Sequence, residues 1–136
     1  MNTQPARKPV TAKANEPDEI ARFFGEILSF NNSLKLMHWD ITGKGSYATH
    51  ISLDEAITDL WDATDRMIET TYASLGNLHI IIPETIKPND HLSCVSLFYD
   101  HIETKRGLFA ELFTQSIIDD YQEAIKQLLY RLKRLS

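Results

Sequence analysis

The sequence predicts an all-α domain, a bundle of four helices with one long crossover between the second and the third. Three observations carry that prediction. Apolar residues recur at steps of three and four over long runs rather than alternating. Only five Gly and five Pro occur among 136 residues, so few positions interrupt a helix. The one short β-branched run, His79-Ile80-Ile81-Ile82, is ended by Pro83.

Residues 1–17 hold Pro5, Pro9 and Pro17, with Arg7, Lys8 and Lys13 set against Glu16. Such a segment cannot bury an apolar face, so it reads as a flexible, mildly basic tail before a bundle spanning 18–136. The first helix starts near Pro17-Asp18-Glu19, where proline and acids suit an N-terminal turn. Ile20, Phe23, Phe24, Ile27, Leu28, Asn31, Leu34 and His38 trace its inner face, and it is expected to end towards Gly43 and Gly45. The second helix covers 46–76, about eight turns, with Ile57, Trp61, Ile68, Tyr72 and Leu75 at helical spacing. The connection from Asn77 to Asp90 contains Pro83 and Pro88. Extended, it reaches about 45 Å, enough to return along the whole bundle.

A third helix is expected after an N-cap at Asn89 or Asp90, with Leu92, Val95, Tyr99, Ile102, Phe109, Leu112 and Phe113 facing inward. Thr114-Gln115-Ser116 reads as a short break capped by Ser116 with Asp119. The last helix then carries Ile117, Ile118, Tyr121, Ile125, Leu128, Leu129, Leu132 and Leu135 in one stripe.

Composition narrows the function. A net charge of −5 argues against a surface that binds nucleic acid throughout, leaving DNA to the basic tail. The single Cys94 excludes an internal disulfide and a cysteine-based zinc site, and fits a cytoplasmic location. No apolar segment of signal-peptide or membrane-spanning kind is found, so no membrane partner is expected.

The chemistry lies on the second helix. His50 and Asp54 are four residues apart, as are Asp65 and Glu69, so each pair shares one helical face. Imidazole and carboxylate together suit iron, manganese or zinc. One helix cannot bring the two pairs to one ion, because fifteen residues span about 22 Å. A second copy crossing antiparallel at the midpoint, between Asp59 and Leu60, would join His50 and Asp54 of one chain to Asp65 and Glu69 of the other. Two-fold symmetry then yields two equivalent sites. His38 and His50 lie equally far from Lys44 in the Gly43-Lys44-Gly45 turn, so a helical hairpin sets both imidazoles at one level.

His38-Trp39, Gly43, His50, Asp54, Asp65 and Glu69 together resemble the ferroxidase pattern of the Dps family, the ferritin-like DNA-binding proteins from starved cells. Ser46 stands where that family commonly has Phe, and Thr70 where an Arg often follows the last Glu. The resemblance implies a ferritin-like bundle and a two-fold dimer within a larger shell such as a dodecamer. It implies sites that bind Fe(II), with Zn or Mn as substitutes, and oxidise it with peroxide or dioxygen, sequestering the product. His38, His50 and Asp54 would come from one subunit, and Asp65 and Glu69 from its partner, Glu69 bridging and Asp65 orienting its neighbours or holding a second ion. Two other functions fit the sequence: a DNA-compacting protein, and a structural oligomer that binds a divalent ion without turnover. Trp39, Trp61 and Cys94 read as packing residues. His101 with Asp100 and Glu103 is a lesser candidate for an auxiliary metal site.

Overall fold

The computed structural model describes residues 16–135. It consists of four α-helices and, among those residues, no strand: α1 (Glu16–Asp40), α2 (Ser46–Leu75), α3 (His91–Lys105) and α4 (Leu112–Leu135). A single 3₁₀ turn, Arg106–Leu108, follows α3. Most of the tail expected over 1–17 lies outside the described residues. Glu16 and Pro17 belong to α1, whose first turn carries Glu16, Asp18 and Glu19 against the partial positive charge of the helix start.

The core is an apolar seam shared mainly by three helices. Phe23, Phe24, Ile27, Leu34 and Met37 of α1 meet Leu53, Leu60 and Met67 of α2 and Ile118, Tyr121, Ile125 and Leu128 of α4. The third helix is a thinner wall and buries only Val95 and Ile102. It runs against α1 in the opposite direction: Phe98 stacks on Phe30 with centroids 4.2 Å apart, and one turn on His101 meets Glu26. Ion pairs from Arg66 to Asp120 and from Arg131 to Glu55 mark the antiparallel packing of α4 on α2.

A chain of polar groups crosses this core. The Tyr121 hydroxyl donates to Asn31 Oδ1 (2.8 Å), Asn31 Nδ2 donates to Thr64 Oγ1 (3.1 Å), and Thr64 donates to the Leu60 carbonyl (2.7 Å). Complete burial without a charged partner holds the Tyr121 phenol well above its ordinary pKa. Each group has a partner, so the network costs little and ties α1, α2 and α4 into one register.

Two boundaries differ from the sequence reading. The first helix stops at Asp40, short of Gly43 and Gly45, and these two glycines take φ of 96° and 78° in the turn, values that disfavour other residues. The break between the last two helices falls at 106–111 rather than at 114–116. Gly107 weakens the helix there, and the Gln115 side chain donates to the carbonyls of Arg106 (2.7 Å) and Phe109 (2.8 Å), holding the turn from within α4. Arg106 reaches back to Asp119 (2.6 Å) and Gln122 (2.7 Å). Leu112 and Phe113 therefore sit exposed in the first turn of α4, whereas Phe109 packs inward on Phe23 and Phe24.

Residues 76–90 lie along α1. Tyr72 donates to the Leu78 carbonyl, Thr85 and Ser29 share a hydrogen bond, and Lys87 pairs with Asp40. The connection ends at Asp90, whose carboxylate accepts from the Ser93 amide (3.1 Å) and caps α3. The carbonyl of Ile81 occupies the space a side chain on residue 25 would need, so only Gly25 permits this approach. Gly25→Ala is expected to push the connection off α1 and cost about 1–3 kcal/mol. Thermal unfolding measures it; an unchanged midpoint would show that the loop is not seated there.

Candidate metal centre

The hairpin turn brings two of the five predicted ligands into contact. His38, in the last turn of α1, and His50, in the second turn of α2, stack with ring centroids 3.6 Å apart and planes 29° apart. Each ring is fixed by the other residue's backbone: His38 Nδ1–H donates to the His50 carbonyl (3.1 Å), and His50 Nδ1–H to the His38 carbonyl (3.2 Å). A carbonyl only accepts, so both neutral rings carry their proton on Nδ1 and present a lone pair at Nε2. This is the arrangement by which a backbone partner orients a metal-binding imidazole.

His38 is buried, and burial pushes its pKa below the ordinary histidine value, helped by the charge of Lys35 and by His50. Asp54 acts in the opposite direction on His38, from one turn beyond His50. Its own carboxylate is exposed and pairs with Lys35 at 3.5 Å.

Asp65 and Glu69 stand in the C-terminal half of α2, both exposed. No hydrogen bond or ion pair reaches either among the described residues, whereas Glu55 and Asp62, on the flank towards α4, are paired with Arg131 and Arg66. Within one chain the described residues contain no group of three or more His, Cys, Asp or Glu that could hold a metal ion. The structure thus joins His38 to His50, sets Asp54 on Lys35, and leaves Asp65 and Glu69 apart from them.

The outer face of α2 carries a pattern that the spacing of ligands alone does not reveal. Tyr47, Ile51, Asp54, Thr58, Trp61, Asp65, Ile68 and Tyr72 follow at alternate steps of four and three, and none is buried; Tyr47 is 77% exposed. The stripe is palindromic about the Asp59–Leu60 midpoint, which relates Tyr47 to Tyr72, Ile51 to Ile68, Asp54 to Asp65 and His50 to Glu69.

A profile for a family of unknown function, DUF5856, matches residues 38–132. The chain belongs to this family. The matched span opens on His38 and contains all five candidate ligands; Lys35, which pairs with Asp54, lies before it. No curated protein and no solved structure matches.

Other candidates fall out differently in this DUF5856 member. His101 bonds to Glu26 (2.9 Å) rather than gathering Asp100 and Glu103. Trp39, expected to pack, is 68% exposed with the Lys35 ammonium 5.7 Å from its ring. The bundle centre, where a conventional di-iron protein carries carboxylates, holds the neutral Asn31, Thr64 and Tyr121 instead.

The depressed pKa of His38 fixes the sign of a pH effect. The folded ring binds its proton less readily than the unfolded one, so its contribution is fully present above the unfolded histidine pKa and is lost as the pH falls through the histidine range. Stability is expected to decline between about pH 7 and about pH 5. Removing the ammonium by Lys35→Met should raise the His38 midpoint, followed by NMR of the ring proton; no movement would remove Lys35 as a cause.

Proposed function

We propose that this chain is a Dps-like ferroxidase with a ferritin-like topology, in which two copies cross through their α2 helices and share two iron sites. The observation that carries the reading is the stacked pair of imidazoles with both Nε2 atoms free of protein partners. An antiparallel crossing about Asp59–Leu60 would set the bare carboxylate of Glu69 from the second copy beside His50. The same register sets Asp54 against Asp65 of the second copy. Two carboxylates face to face repel unless cations stand between them; Lys35 answers Asp54, and a metal ion would answer Asp65 and Glu69. Ile51 against Ile68 and Tyr47 against Tyr72 supply the apolar contact.

The residues fit the substrate. Imidazole nitrogen and carboxylate oxygen both suit iron, and hard carboxylates favour Fe(III) over Fe(II), which lowers the potential and promotes electron loss. Rings so close to parallel cannot both aim at one ion about 2 Å from each nitrogen, so the pair suits two neighbouring ions. Two ferrous ions then give one electron each to one peroxide; its O–O bond breaks, two protons are taken up and two waters leave. Hydroxyl radical is avoided, and the ferric product passes to storage if the dimers close into a shell such as a dodecamer. Zinc or manganese can occupy the same donors without turnover. Two antiparallel helix pairs joined by a long connection along α1 support the ferritin-like crossover.

Subunit mixing tests the shared site. His38→Ala and Glu69→Ala are each expected to abolish peroxide-dependent Fe(II) oxidation. Random mixing makes half the dimers hybrid, each with one intact site, so about a quarter of the wild-type rate should return. No recovery, with hybrids shown to form, would place the ligands within single chains. Ile51→Glu is expected to shift the mass in solution towards the monomer, read by light scattering; an unchanged mass would remove this face as the interface.

A further inference from the structure

A second site, unrelated to the iron chemistry, lies at the other end of α1. A cavity of ≈ 530 Å³ opens between α1 and the connection along it, within the size range of small-molecule pockets. Ala21 of the helix and Ile81 and Pro83 of the connection supply its apolar lining. Gly25 allows that connection its close approach, so the wall is held by backbone packing rather than by a side chain free to swing.

The polar lining has an unusual feature. Asp18 and Arg22 stand four apart on α1, the spacing at which acid and base ordinarily pair along a helix. They do not close on each other, and no hydrogen bond or ion pair reaches either among the described residues, although both line the cavity. Glu26, a further turn on, is engaged by His101 and does not compete for Arg22. An anion-binding and a cation-binding group are thus offered side by side on an open groove, next to Ala21, Ile81 and Pro83, with His79 of the connection completing the polar lining.

We propose that this cavity binds a small apolar zwitterion, of the chemical class of a hydrophobic α-amino acid. Its carboxylate lies on Arg22, its ammonium on Asp18, and its side chain against Ala21, Ile81 and Pro83. Arg22 offers a planar fork suited to a carboxylate, and Asp18 accepts from an ammonium. A purely anionic ligand would face Asp18, and a purely cationic one Arg22, each unpaired.

Calorimetry on the full chain tests this, with L-phenylalanine, 3-phenylpropionate and phenethylamine as probes. L-Phenylalanine is expected to bind with a Kd of about 1 mM or tighter, and the two singly charged analogues at least about tenfold more weakly. Arg22→Gln and Asp18→Asn should each weaken L-phenylalanine about fivefold. Ile81→Ser, at an exposed position, should weaken all three probes. Absence of binding at about 10 mM, equal affinity for a singly charged analogue, or full binding in both charge variants would overturn the proposal.

Discussion

The closure of α1 on α2 through the Gly43–Gly45 turn is the constraint on which the rest depends. It is a reciprocal contact: each of two histidines donates to the backbone of the other, and their rings stack between. The contact satisfies the His38 carbonyl at the end of α1 while fixing two tautomers, so a single local geometry closes the hairpin and sets the direction of both Nε2 lone pairs. Burial and Lys35 favour the neutral form of His38, the form a metal needs.

Along α2 the surface divides. On the flank towards α4, Glu55 and Asp62 are matched by arginines; on the outer face Asp65 and Glu69 have no matching cation among the described residues, and the large apolar side chains of Trp61, Ile68 and Tyr72 share that face. In a monomer these carboxylates are solvated and the apolar side chains of the stripe stay open to water. The proposed two-fold crossing, with cations in the seam, would give both a use, which is why that proposal needs a second copy as much as it needs iron.

The bundle itself is uneven. Phenylalanines of α1 and the Tyr121–Asn31–Thr64 network hold three helices in register, while α3 contributes little buried area and relies on its Asp90 cap and on the Arg106 and Gln115 contacts beyond its end. The connection along α1 covers what α3 leaves open, and laying irregular backbone on a helix forms the groove between Arg22 and Ile81.

Four helices, the hairpin and the level placement of His38 and His50 were legible in the sequence, because periodicity, glycine spacing and distance from a turn are local quantities. The end of α3 was not: Gly107 is a weak local signal, and what moved the break was a glutamine reaching back from the next helix. Nor could sequence assign Asp54 to Lys35, leave Asp18 and Arg22 unpaired, or expose Trp39, since each outcome depends on which neighbours the other helices bring. Spacing along one chain determines which side chains share a face; only tertiary packing decides which of them keep a free lone pair or an unanswered charge.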